Sequence, residues 1–391
     1  MGQCVKPFND GCAANDEFQS ANSGLQRGEL IRDLLRQRVH IPPVPSDSMV
    51  RPKLDTRISE ALTSRGVLFL EAPCGYGKSH AVVSGLVSAQ MAADQVRWIT
   101  LNSQDNAPSR FLTLLAIALD LPETPEQGLQ SGATFSDTLS MMQVALAREG
   151  SGQPRVLVLD NLQNLSNPAV VDLLQQLVME FPSGSSIVLI SRKALPFETH
   201  SLELENRFTR IGSETLEFSR SETFEFFRSA TTKSELTSVA VDNLYYMTEG
   251  WATPLALYRR EVAQNIERKP IQETPSVERF LKESVLGNLT PGQMRSMRGI
   301  AELELCSDEL FLALERLLPE AGFVPSQAAE RGLPLKPMPG RGRWFRVNPL
   351  LQEWLKSPVM AGYSERMLQA SRWFGVRDQF PEALKYALLS G

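Results

Sequence analysis

Long apolar runs, clustered cysteines and a strong excess of either charge are all missing from this chain. No stretch of its 391 residues approaches the about eighteen apolar positions of a membrane-spanning helix, so no membrane association is expected. Cys4, Cys12, Cys74 and Cys306 are too scattered for a metal quartet or a disulfide framework, which points to a reducing, cytoplasmic setting. His40, His80 and His200 are equally dispersed and have no spacing for a metal site or a catalytic triad. Forty basic residues against forty-five acidic ones leave a formal charge of -5, which gives no reason to expect tight, sequence-independent nucleic-acid binding by the chain as a whole and leaves open only a local basic patch. The opening "MGQCVKPFNDGCAAND" has neither the basic start nor the apolar core of a secretory leader. Its Met-Gly is followed by Lys6, where a myristoylation motif wants Ser or Thr.

What is present suits a folded chain of several domains: 42% of the residues are hydrophobic. Residues 1–24 are polar and without period, and 28–38 place Ile31, Leu34 and Leu35 on one side of a short helix that "VHIPPVPSD" ends. From 66 to 192 the runs "GVLFLEAP", "QVRWITLN", "RVLVLDN" and "SSIVLISR" alternate with helical stretches at 78–91, 108–119, 136–149 and 168–180. Strands this uniformly apolar are buried on both faces, as in a parallel sheet between helix layers. A further strand is expected within 209–218. The pattern then turns helical, first through 263 and again over 276–332. Two short β-like runs about "PGRG" and a closing helix suggest a winged helix, and 364–391 reads as a helix pair of the kind that stacks into a solenoid. The expected division is a tail and short helix at 1–43, an α/β domain at 44–218, a helical domain at 219–285, a winged helix at 286–362 and the first repeat helices at 363–391.

Ala72-Pro73-Cys74-Gly75-Tyr76-Gly77-Lys78-Ser79 fits a relaxed Walker A pattern, with Ala in place of the first Gly. An apolar strand ends just before it and a helix starts at Lys78, as a phosphate loop requires. Inward-facing N–H groups, a helix N-terminus and an ammonium together form an anion site. Residues 75–80, namely Gly75, Tyr76, Gly77, Lys78, Ser79 and His80, are the candidate phosphate contacts, with Lys78 reaching the β- and γ-phosphates and Ser79 a Mg²⁺ ligand. The bland alternative is a glycine turn between a strand and a helix in a protein that binds no nucleotide.

"RVLVLDN" carries Asp160 to a strand's C-terminal end, where ligands sit in open α/β sheets, and makes it the natural second Mg²⁺ ligand. The next position is Asn161, an amide that cannot take a proton from water, so hydrolysis is expected to be slow. Glu71 and Asp105 read more simply as solvated or capping carboxylates. Arg192, at the end of the fourth strand, is either a γ-phosphate contact or a surface arginine. "PGRGRWFRV" at 339–347 reads chiefly as a solvated hairpin rather than as a nucleic-acid patch.

The ordered set "VRPKL" (50–54), "APCGYGKS" (72–79), "WITLNSQDNAPSRF" (98–111), "LVLDNLQNL" (157–165), "LISR" (189–192), "TEGWATPLAL" (248–257) and "VNPLLQEWL" (347–355) resembles the MalT-type large LuxR-family transcriptional regulators, signal-transduction ATPases of the STAND class. The resemblance implies an ASCE-type P-loop domain that binds ATP or ADP with Mg²⁺, then a helical domain, a winged helix, and helical repeats that sense a small-molecule inducer or a regulatory protein. It places Val50 and Arg51 near the adenine and makes Pro254 the proline that closes the base pocket. Asn348 falls where the family commonly has a histidine near the β-phosphate of ADP. Asparagine can donate a hydrogen bond there but carries no charge, so an ADP-locked state is expected to be weaker. The resemblance also implies self-association in the ATP-bound form and a DNA-binding helix-turn-helix far downstream. That motif is absent from these 391 residues, so DNA binding is not assigned to them. Two other readings stay open: a DNA-binding ATPase of the origin-recognition type, with the same domain order, and a P-loop kinase or hydrolase of small substrates.

Overall fold

The computed structural model describes residues 34–391 apart from 46–47, 122–133, 149–155, 183, 229–235, 265–268, 319 and 341. The polar tail lies outside the described residues, as does most of the helix expected over 28–38, which is helical at its described positions 34–36. The chain forms two compact units, one from residues up to 42 together with 91–187, the other from 43–90 together with 188–391.

In the first unit, β2 (Val96–Thr100) and β3 (Val156–Asp160) pair in parallel, Val96 opposite Val156 through Thr100 opposite Asp160. Every residue of β3 is buried, as its unbroken apolar run requires. Helices Pro108–Ala118, Phe135–Arg148 and Pro168–Met179 accompany these strands. The last begins at a proline behind Asn167, whose side chain accepts from Ala169 N, and buries Val170, Leu173, Leu174, Leu177 and Val178 along one face. Asp105 is a structural cap. Its Oδ2 accepts from Asn102 N at 2.7 Å, Arg38 bonds to both of its oxygens, and Arg110 Nε reaches Oδ1 at 3.2 Å.

In the second unit, β1 (Val67–Glu71) pairs in parallel with β5 (Phe208–Ile211). Ala72 N donates to Ser191 O, where β1 leaves β4 (Ser186–Ser191). Within this unit the strands run in the order β4-β1-β5. The strand expected within 209–218 is shorter than the apolar pattern suggests. It stops at Ile211, because the backbone turns at Gly212 into a one-turn helix, Ser213–Leu216, that buries Leu216.

Helices Arg220–Arg228, Ser238–Thr248 and Ala252–Gln264 follow, then a short helix Pro275–Arg279 that runs on into a π-helical turn, Phe280–Val285. Beyond helix Pro291–Glu302, a three-stranded antiparallel sheet has the order β6-β8-β7, with β6 at Cys306–Ser307, β7 at Leu335–Pro337 and β8 at Trp344–Val347. The β7–β8 hairpin is the one expected from "PGRG". β6 was not expected, since two residues are too few to show any alternation. Helices Pro349–Lys356, Tyr363–Gly375 and Phe380–Leu389 complete the described chain. Trp344 stacks on Phe374 with centroids 5.9 Å apart, and Phe374 stacks on Tyr386 at 5.3 Å, so the helix pair is fastened to the hairpin by aromatic faces.

Candidate nucleotide-binding site

β1 delivers the chain to Ala72, and helix Lys78–Ser88 takes it away. Between them Gly77 is the helix N-cap in the left-handed region at φ 77°, and no side chain caps the first turn. The N–H groups of that turn therefore keep the anion-binding character of an uncapped helix start. Gly75 has φ 81°, and a Cβ there would lie 2.5 Å from Phe280 Cζ and 2.9 Å from Trp251 Nε1. Only glycine fits between the loop and those rings. Lys78 Nζ donates to Ala72 O at 2.6 Å and Pro73 O at 2.8 Å, which folds the ammonium over the loop. Ser79 and His80 occupy the first helical turn. The backbone cradle, the glycines at its tight points and the lysine fit a polyphosphate.

The outer side of the loop is held by residues far along the chain. Trp251 is fully buried, and its Nε1 donates to Cys74 O at 2.8 Å. Thr253 N donates to Gly75 O at 2.9 Å. The indole lies 5.7 Å from the Tyr76 ring and meets Phe280 edge-on at 5.6 Å. By residue type alone Trp251 is an ordinary core residue. Its one distinguishing signal was its place in "GWATPLAL", next to Gly250. Gly250 has φ 76°, and a Cβ on it would come within 2.0 Å of Phe218 O.

The other expected contacts are placed as follows. Pro254 is buried in the first turn of helix Ala252–Gln264, beside the loop-binding Thr253. Val50 is 76% exposed. The Arg51 guanidinium donates to Leu216 O and Glu217 O at 2.7 Å each and to Glu222, and it lies 5.0 Å from the Phe218 ring centre. It latches the start of helix Pro52–Thr63 to the segment after β5. Asn348 is buried, donates from Nδ2 to Thr248 O at 2.8 Å and accepts from Leu350 N, so it caps helix Pro349–Lys356 and ties it to helix Ser238–Thr248. Arg192 Nη1 donates to Ser284 O at 3.2 Å. In the first unit, Asp160 ends β3 as a buried carboxylate. Asn161 follows it in the left-handed region at φ 65°. That backbone favours asparagine over glutamate, which gives the amide a local structural reason. Glu71 is paired with Arg210 at 2.5 Å.

The Arg51–Glu222 pair makes a testable pH dependence. Burial alone would raise the Glu222 carboxyl, but the bonds and charge of Arg51 and the Ser219 N–H outweigh it and hold its pKa below the ordinary value. A lowered folded-state pKa contributes stability that is present above the unfolded value of about 4.3 and is lost as pH falls through the folded one. Glu222→Gln is expected to flatten the acid side of the melting-temperature profile below about pH 4.5 and to lower the plateau at neutral pH. Thermal unfolding followed across pH measures both.

Beneath Tyr76 lies a charge cluster. Lys336 Nζ sits 2.9 Å from Glu217 and 3.1 Å from Glu249, and Arg346 pairs with Glu249. Burial pushes the Glu217 carboxyl up despite Lys336, and it pushes the Tyr76 phenol well up, with Glu217 and Glu249 adding to the effect. The β7–β8 hairpin, which carries Lys336 and Arg346, is thus held by the segment after β5 and by the end of helix Ser238–Thr248, just ahead of the loop-binding tryptophan.

Fold and loop define the class: an α/β P-loop NTPase domain followed by helical regions. Residues 61–195 match the family described as "AAA domain", and the chain shares its fold with a Walker-type ATPase of Pyrococcus abyssi at a TM-score of 0.54, with 14% identity over 80% of this chain and 97% of that one. Within the class, the chain is similar to the HTH-type transcriptional regulator MalT of Vibrio campbellii, at 27% identity over 81% of its own length, and to that of Vibrio parahaemolyticus, at 26% over 79%. The MalT-type resemblance read from the motifs is borne out. The chain spans 36% and 35% of the length of these two relatives. Among the described residues no helix is long and apolar enough to cross a membrane.

Proposed function

We propose that this chain is the nucleotide-binding switch module of a MalT-type transcriptional regulator, one that holds ATP or ADP with Mg²⁺ and turns ATP over slowly. Gly75, Tyr76, Gly77, Lys78, Ser79 and His80 would cradle the phosphates, Ser79 and Asp160 would supply the metal's protein ligands, and Val50, Arg51 and Pro254 would lie at the base. To bind phosphate, the Lys78 ammonium exchanges two neutral carbonyl partners for an anionic oxygen, the stronger acceptor. Bound Mg²⁺ would neutralise phosphate charge. Asn161 supplies no base, and Asn348 supplies no charge, so holding is favoured over turnover. Arg192 is the candidate for telling triphosphate from diphosphate, and Asn348 the candidate for an uncharged contact near the β-phosphate of ADP.

The observation that carries the switch reading is the pair of bonds from Trp251 and Thr253 to the loop carbonyls, which ties the phosphate loop to the helical region. A ligand biases such a two-state element only through unequal affinity for its two forms. The closed form is expected to be monomeric, and the ATP-bound open form to self-associate. An inducer or regulatory protein would act through helical repeats, and DNA would be met only by a separate helix-turn-helix. Light scattering after gel filtration tests this. A larger mass with Mg·ATP or its non-hydrolysable analogue than with ADP is expected, and an identical mass in both would refute nucleotide-controlled assembly.

A further inference from the structure

The geometry points to Trp251 as a positioning residue for nucleotide binding, one that sets which way the peptide planes of the phosphate loop face. The inference rests on the nucleotide reading above and adds a residue that neither the loop motif nor the comparisons assign.

A trans peptide is planar, and its C=O and N–H point to opposite sides. Cys74 O and Gly75 N belong to one such plane, and Gly75 O and Tyr76 N to the next. The first carbonyl is held from outside by Trp251 Nε1 at 2.8 Å, and the second by Thr253 N at 2.9 Å. The Gly75 and Tyr76 N–H groups must therefore face away from Trp251 and Thr253, toward the concave side of the loop. A glycine at φ 81° has access to several backbone regions, so this peptide could otherwise turn over and present a carbonyl to an anion. The indole N–H removes that alternative by giving the carbonyl a buried partner on the other side. Rings hold the indole itself on two flanks, Tyr76 at 5.7 Å and Phe280 at 5.6 Å. It therefore cannot follow the carbonyl if the peptide flips.

The polarity of the arrangement gives a signature. When Gly75 N–H donates to a phosphate oxygen, electron density shifts across the same peptide toward Cys74 O, which becomes a better acceptor for the indole. The Trp251 N–H proton should then move downfield as nucleotide binds.

The test uses the whole chain labelled with ¹⁵N at its five tryptophan indoles, titrated with Mg·ATP and with Mg·ADP. One indole signal is expected to move downfield in step with occupancy. No indole shift at saturation would overturn the inference. The variant Trp251→Phe keeps a ring in the pocket but removes the donor. Its affinity for Mg·ATP is expected to fall about three- to tenfold, the range for one lost neutral hydrogen bond, with the far-ultraviolet circular dichroism of the wild type retained. Unchanged affinity in a folded Trp251→Phe chain would also overturn it. Should that variant not fold, the wild-type titration still decides. If the wild type binds neither nucleotide, the nucleotide reading itself has failed, which is a separate result from normal binding with a silent indole.

Discussion

Replacing Lys78 by alanine is expected to weaken Mg·ATP binding by on the order of a hundredfold and to leave the fold intact. A charge-assisted hydrogen bond contributes about 1.5–3 kcal/mol, and one ammonium that reaches two phosphates stands at or above the upper end of that range. The folded chain loses little by the change. Lys78 is only part-buried, and its bonds to Ala72 O and Pro73 O join neighbouring parts of a loop that Trp251 and Thr253 hold independently. Isothermal titration of the variant beside the wild type measures the difference. Lys78→Arg is expected to recover little, because a planar fork cannot replace a compact point charge within this turn. Wild-type affinity in Lys78→Ala would mean that the loop is not the phosphate site.

The largest loss of stability is expected far from the loop, at Arg366. Its guanidinium grips Glu302 through two bonds of 2.6 Å, and it also donates to Ala361 O. The side chains of Arg366 and Glu302 are 2% and 5% exposed. Removing the arginine leaves a carboxylate buried without its counter-ion, which costs about 3–5 kcal/mol. The Arg366→Ala chain is expected to lose the packing of helices Tyr363–Gly375 and Phe380–Leu389 first, visible as early proteolysis after residue 357. The double change Arg366→Met with Glu302→Leu should recover most of the loss, since a well-packed apolar pair replaces a buried ion pair at little or no net cost. A double variant no more stable than Arg366→Ala would mean that packing around the guanidinium, rather than the unpaired charge, sets the penalty.

Both effects rest on contacts of very different visibility in the sequence. The phosphate loop was legible because its chemistry is local: strand, glycines, lysine and helix lie within a dozen consecutive residues. Strands β1 to β4 were legible for the same reason, since runs this largely apolar leave little choice of setting, and in β1 and β2 only Glu71, Arg97 and Thr100 are half-buried rather than buried. Trp251 was not, because its partner Cys74 lies 177 residues away and a buried tryptophan has no pattern of its own. The partners of the Arg51 guanidinium, Leu216, Glu217 and Glu222, were not legible, because their position depends on β5 ending early at Ile211. Asn348 read as a phosphate donor, yet in this arrangement its two polar ends serve a helix cap and the Thr248 carbonyl. Asn161 read as a missing base, and its left-handed backbone adds a reason that only the structure supplies. In each case local chemistry set the residue type, and long-range packing set what the side chain does.

The most direct test of the account is to denature the purified wild-type chain, identify any nucleotide it releases, and titrate the stripped, refolded protein with Mg·ATP and Mg·ADP. Adenine nucleotide in the released fraction, or saturable binding of either ligand at a single site per chain, is the predicted result. A wild-type chain that is folded, releases no nucleotide and binds neither ligand would contradict it.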